Sequence, residues 1–229
     1  MAINETAELA GTATDARPAY SHTAYMHPGA LHAALDQCLV AVLRDYTRPV
    51  LTGVHVTSKG GRLTFAAADG FQLVAVTIGT IGEIAGGDFE AIIPAHVCKA
   101  ALPALKAAAK LPDTLARLEL PAGGVGEVAI ATPAGTFRGD VIQGTYPNYE
   151  TLIPAGDKGQ GDRLAVNPAM MGAILKAADK HGKTREKAAI VRQRWEPPSA
   201  PIRLDWEREA GDPCGFVARA VVMPMFVSW

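Results

Sequence analysis

The chain has 229 residues, 48% of them hydrophobic and 20% charged, with a formal net charge of −1. That length holds one or two domains with a proper core, and the composition is ordinary for a globular chain. It excludes a membrane-spanning helix, because no apolar run approaches ~18 residues; it excludes recognition of nucleic acid by bulk charge, though a segregated basic face stays open.

One element order recurs three times: a short strand, a helix started by proline, then three strands. Met1 to Ala24, rich in Ala and Thr, has neither a basic n-region nor an apolar h-region and reads as a flexible leader. The first copy opens at Tyr25-Met26-His27, and Pro28 starts a helix expected to reach Arg44. Strands follow at Val50–Thr57, Arg62–Ala68 and Phe71–Ile78, separated by Lys59-Gly60-Gly61 and Asp69-Gly70 turns. The second copy has a strand at Phe89–Ile93, a helix from Pro94 to Lys110, and strands at Leu115–Leu120, Gly126–Thr132 and Thr136–Ile142. Ala155–Asp162 has linker composition. The third copy has a strand at Arg163–Val166, an Asn167-Pro168 cap and a helix to His181. Its last strands fall at Ala188–Trp195, Ile202–Trp206 and Phe216–Met225.

Helical spacing sorts the side chains of each helix into two faces. The first buries Leu31, Leu35, Cys38, Leu39 and Val42, and carries His32, Asp36, Gln37 and Arg44 outside. The second packs Val97, Ala101, Leu105 and Ala108 inward, with Lys99, Lys106 and Lys110 opposite; Pro103 should kink or end it. The third turns Met171, Ile174, Leu175 and Ala178 to the core, and Lys176, Lys180 and Lys183 outward. A lysine row opposite an apolar stripe can be a solvated face. Two lysine-only faces in a chain of net charge −1 instead imply segregation, which is what attraction to a row of phosphates requires.

No catalytic constellation is present. Ser21, Ser58, Ser199 and Ser228 sit outside any G-x-S-x-G elbow, and the six histidines include no metal-ligand spacing. Gly182-Lys183-Thr184 ends a helix where a phosphate loop would open one. Cys38, Cys98 and Cys214 are too sparse for a disulfide framework or a zinc site and read as reduced, buried thiols of a cytoplasmic protein. Trp195 and Trp206 can stack on bases or pack on the last sheet. No metal, cofactor or enzymatic role is expected.

Four stretches resemble the bacterial DNA polymerase III beta subunit, the DNA sliding clamp. Arg48–Gly53 (RPVLTG) is similar to that family's RPVLNGV, and Ala67–Leu73 (AADGFQL) to VATDGHRL. Gly144–Pro154 (GTYPNYETLIP) is similar to GxFPDYxxxIP, and Ala220–Met225 (AVVMPM) to the C-terminal VVMPM. The resemblance implies an α+β DNA clamp fold of repeated βαβββ units, with helices lining a ring lumen and antiparallel sheets outside. Residues 25–154 would correspond to the middle domain, 155–162 to a linker, and 163–229 to the second half of the last domain. The lumen would then be lined by Arg44, Arg48, Lys99, Lys106, Lys110, Lys176, Lys180 and Lys183. Family rings close with twelve such units, so three per chain imply a homotetramer, and a fourth unit a trimer.

The resemblance also implies a pocket for short linear peptides of the polymerase and clamp loader. Its walls would be Leu51, Ala68, Gly70, Phe71, Gln72, Leu73, Pro147, Leu152, Val221, Met223, Pro224 and Met225. Thioethers such as Met223 and Met225 re-pack around different anchors, although VVMPM alone also reads as a buried final strand. Phe71-Gln72 replaces the family's His-Arg, Thr151 stands where a basic residue is common, and Phe226 replaces an Arg ahead of the Val227-Ser228-Trp229 tail. The implied function is a polymerase processivity factor encircling duplex DNA, cytoplasmic and associated with the nucleoid. The alternative is a clamp-like adaptor or decoy that binds those peptides without closing a ring.

Overall fold

The structure, a computed structural model, describes residues 20–45, 47–153, 166–182, 191–194, 201–208 and 215–224. In chain order they form β1 (Tyr20–Met26), α1 (Pro28–Cys38), β2 (Gly53–Lys59), β3 (Arg62–Ala68), β4 (Gln72–Gly79), β5 (Glu90–Pro94) and α2 (Ala95–Ala108). There follow β6 (Ala116–Pro121), β7 (Glu127–Thr132), β8 (Gly135–Asp140), α3 (Pro168–Gly182), β9 (Arg192–Arg194), β10 (Ile202–Arg208) and β11 (Phe216–Val222).

Among the described residues all strand pairing is antiparallel, in two sheets of order β1-β6-β7-β8 and β5-β2-β3-β4-β11-β10-β9. The first two copies exchange their opening strands. β1 pairs with β6 of the second copy, β5 pairs with β2 of the first, and α1 packs on α2. The third copy joins edge to edge, with β11 on β4 in an unbroken register from Phe216↔Ile78 to Val222↔Gln72. Gly60 and Gly61, both at positive φ, form the two-residue turn between β2 and β3 that the Gly-Gly pair announces.

The larger sheet has two buried faces, separated by the two-residue alternation of its strands. Val54, Val56, Leu63, Phe65, Ala67, Val74, Val76, Ala218 and Ala220 meet the helices in the main core. Leu51, Ala66, Leu73, Ala75, Ile92 and Val221 form a second cluster, closed over by Tyr146 and Tyr149. Near-continuous apolar runs in β3 and β4 follow from burial on both sides.

Several expectations are corrected. Tyr20–Ala24, read as leader, belong to β1; the pairing of Ala24 with Leu118 buries an alternation too short to see in sequence. α1 stops at Cys38, so Arg44 lies beyond it, and Gln37 is buried, donating to the Ala33 carbonyl. Pro103 neither ends nor breaks α2: it stands on the exposed side, where the Lys99 carbonyl it leaves unpaired can take a water. Leu175 is exposed. The expected Asn167 cap is present, its side-chain oxygen accepting from the N–H groups of Ala169 and Met170 at 2.9 and 3.3 Å. Met1–Ala19, the 155–162 linker, the Arg163–Ala165 part of the expected strand, Lys183, Trp195, Cys214, Met225, Phe226 and the 227–229 tail lie outside the described residues.

Candidate functional site

The helices stand on one side of the larger sheet and the Tyr146–Tyr149 cluster on the other, so two kinds of surface are kept apart. On α2, burial of Val97, Cys98, Ala101, Leu105 and Ala108 leaves Lys99 and Lys106 exposed, with Lys110 just past the helix end. α2 contains no acidic residue. On α3, Ile174, Ala177, Ala178 and His181 are buried while Lys176 and Lys180 are exposed. The α3 face is mixed instead of lysine-only, because exposed Asp179 stands among them.

Lys180 also has a partner: its Nζ lies 2.5 Å from Oδ2 of Asp36 on α1, and His181 Nε2 bonds the same oxygen. Burial alone would push the Asp36 carboxyl up, but the hydrogen bonds from His181 and Lys180 outweigh it and hold it well below the usual carboxylate range. His32, 5.5 Å from His181 between ring centres, is pushed down to about 4 by burial and the neighbouring His181. α1 and α3 thus meet through a polar lock, and part of the Lys180 charge is spent inside the protein.

Arg44 is exposed and lines two cavities, of about 540 and 470 Å3, one shared with His96 and Lys99 and the other with Asp69, Gln72 and Met170. Arg48 sits at the β3–β4 turn instead of on a helix: its guanidinium lies 3.3 Å from the point a Cβ on Gly70 would occupy, and Gly70 has φ +94°.

Beneath Tyr146 and Tyr149, the structure gathers Leu51, Ala68, Leu73 and Val221 from four separate segments. Tyr146 accepts a hydrogen bond from the Ala68 N–H at 2.9 Å and stacks on His55 at 4.5 Å, with Tyr149 edge-on to both. Burial pushes the Tyr149 hydroxyl up to about 12 and Tyr146 further in the same direction. His55, buried and bonded to Glu90 at 2.8 Å, is pushed down by its burial, which Glu90 partly offsets. Around this floor Phe71, Leu152 and Met223 are 62%, 53% and 43% exposed, an unusual concentration of large apolar side chains at one surface. Pro147 is exposed beside Tyr146, and Pro224 is half-buried. Gln72 faces the other way: its amide donates to the Val40 carbonyl and to Asp69, on the helix side of β4. A strand reverses its side chains at every step, so Gln72 cannot share a face with Leu73.

His55, Tyr146 and Tyr149 were not anticipated as site residues. The tyrosines lie within the Gly144–Pro154 stretch, but only its docking on the sheet reveals what they cover. Among the described residues no group of three or more His, Cys, Asp or Glu is arranged to hold a metal ion.

Comparison with known proteins agrees with this architecture. The family model described as DNA polymerase III beta subunit, central domain, matches residues 26–148, more than half of the chain. A beta sliding clamp of Synechocystis sp. is 32% identical over 136 residues, covering 54% of this chain and 33% of that protein; the match therefore spans a third of the relative's length. Among solved structures, a DNA polymerase sliding clamp from Pseudomonas aeruginosa superposes with a TM-score of 0.71 at 15% identity, over 92% of this chain and 68% of that one. A DNA polymerase III beta subunit from Thermotoga maritima gives 0.69 at 15% identity, over 96% and 70%. These likenesses establish the fold, α+β with the clamp arrangement of helices and antiparallel sheets.

Proposed function

The chain belongs to the DNA polymerase III beta subunit family, and from that membership we propose that it is a DNA sliding clamp. Its task is to encircle duplex DNA and tether replication or repair proteins, without chemistry of its own. The observation that carries this reading is the segregation just described. Exposed lysines stand on helices on one side of a sheet, and an apolar cluster with exposed Phe71, Leu152 and Met223 lies on the other.

The DNA-facing residues are Lys99, Lys106, Lys110, Lys176 and Lys180, with Arg44 and Lys183. Their attraction to phosphate is independent of sequence, and a closed ring needs little affinity per contact because it cannot leave a duplex without opening. Arg48 fits the pocket rim better than the lumen, given its place against Gly70. The pocket floor is Leu51, Ala68, Leu73 and Val221, and its lip Phe71, Pro147, Leu152, Met223 and Pro224, with Met225 following in sequence. Its occupants are short linear peptides of a DNA polymerase and of a clamp loader.

Residues 25–154, with Tyr20–Ala24 added to their first strand, form a two-unit clamp domain joined through 155–162 to a single unit at 163–229. Three units per chain close a twelve-unit ring as a homotetramer, four as a trimer. The place of work is the cytoplasm, on the nucleoid; no helix among the described residues is long and apolar enough to cross a membrane.

Topology is tested with DNA. Protein assembled on a nicked circular plasmid should co-elute with it through a sizing column in moderate salt, and fall off when one restriction cut linearises the plasmid. Equal loss from circular and linear DNA would overturn ring closure and favour the open adaptor.

A further inference from the structure

The pocket does not end at its apolar floor. Cross-strand registers line up two rows on the outer face of the larger sheet: Ala68–Leu73–Val221–Arg203 and Ala66–Ala75–Arg219–Asp205. Each row begins apolar on the first copy and ends charged on the third. Arg203 stands one strand spacing, ~4.8 Å, from Val221, so the arginines directly adjoin the apolar cluster. A cavity of about 400 Å3 opens there, bounded by Thr77, Tyr149, Glu150, Ile153, Arg203 and Arg219. It shares Ala75, Tyr149 and Ile153 with the apolar cluster and so borders it.

The charges in this cavity are unevenly arranged. Oδ1 of Asp205 accepts from Arg203 at 3.0 and 2.9 Å, while Nε of Arg219 stands 3.9 Å from the same oxygen. The Arg203 and Asp205 side chains are each only 14% exposed, whereas Arg219 is 51% exposed. Arg203 is thus committed to the floor, and Arg219 projects over the cavity with donors to spare, since one distant carboxylate oxygen cannot use its fork. Glu150 is the acidic group at the lip.

We propose that this arginine-lined annex, formed by Arg203 and Arg219 beside the Leu73–Val221 floor, receives an acidic side chain of the partner peptide next to its apolar anchors. The inference rests on the peptide-binding reading above. Arg219 is the specificity-determining residue, pairing with the incoming carboxylate; Arg203 holds Asp205 and the floor in place, and Glu150 weakens the site from its lip.

The test uses two fluorescein-labelled ten-residue peptides that share a Leu-Phe pair and differ only in carrying Asp or Asn beside it, on each side in turn. Binding to the full chain is followed by anisotropy. For one placement, the Asp peptide should bind about fivefold more tightly at low salt, and added salt should erase the difference. Arg219→Gln should abolish that preference while leaving the Asn peptide's affinity unchanged, which also shows that the variant is folded. Glu150→Gln should enlarge it. Equal binding of Asp and Asn peptides to the parent chain, or a preference that survives Arg219→Gln, overturns the annex and leaves the apolar pocket standing. If neither peptide binds the parent chain at all, the peptide-binding reading itself fails and the annex with it.

Discussion

The backbone N–H of Met223 donates to the carbonyl of Phe71 at 3.0 Å, extending the β4–β11 pairing by one step beyond Gln72↔Val222. The hydrogen bond sets two exposed apolar side chains beside each other at the rim of the outer apolar cluster, one from the first copy and one from the third. That apolar surface therefore exists only where those two copies are joined.

Met223→Ala should weaken binding of a peptide with Leu and Phe anchors about tenfold, because an anchor's contact surface is removed. Its effect on stability should stay within about 0.5 kcal/mol, since the side chain is largely exposed and its backbone bond is retained. Anisotropy titration and thermal unfolding of the same preparation check both halves.

Among the lysines, Lys106 and Lys180 should behave differently. Lys106→Ala removes an exposed charge from a helix without acidic residues and should lower the salt slope of DNA binding by about one. Lys180→Ala should change that slope less, because its charge is already partly answered by Asp36, and should instead destabilise the α1–α3 contact. Binding isotherms at four or five salt concentrations separate the two.

Trp206 donates its indole N–H to Oε1 of Gln37 at 2.5 Å, and both side chains are wholly shielded. Gln37→Leu leaves a buried indole N–H without an acceptor and should destabilise the chain by about 1–3 kcal/mol. That corresponds to a fall of several degrees in Tm, measurable by calorimetry.

Acid sensitivity should appear above the range where carboxylates titrate. His32 is pushed down to about 4 by burial and by His181, so the folded state disfavours its protonated form. Its contribution to stability is complete above ~6.5, the ordinary histidine value, and is lost as pH falls towards 4. His55 acts in the same direction. Asp36, held low, keeps its contribution above ~3.9 and loses it only in stronger acid. The urea midpoint should fall between pH 7 and pH 5, and His32→Gln should flatten part of that fall.

The repeat of strand, helix and three strands was legible because turns and capping residues are local: Gly60-Gly61 and Asn167-Pro168 act within a few residues. What a local pattern cannot carry is partner choice. Nothing in Tyr20–Ala24 announces that the strand will pair with β6, and nothing in Arg203 that it will stand beside Val221. Family motifs single out Leu51, Leu73 and Val221, which do cluster in space; the tyrosine cover and the nearness of the arginines depend on register between distant strands. Gln72 and Arg48 show the limit of carrying a motif across residue by residue. A one-step alternation turns Gln72 to the helix side, and a loop delivers Arg48 to the turn.

Ring closure is read from absolute mass in solution, by light scattering behind a sizing column across a range of concentrations. A closed ring gives a stable species at four times the 24.0 kDa of one chain, or three times if a fourth unit is present. A monomer or dimer at every concentration would contradict it.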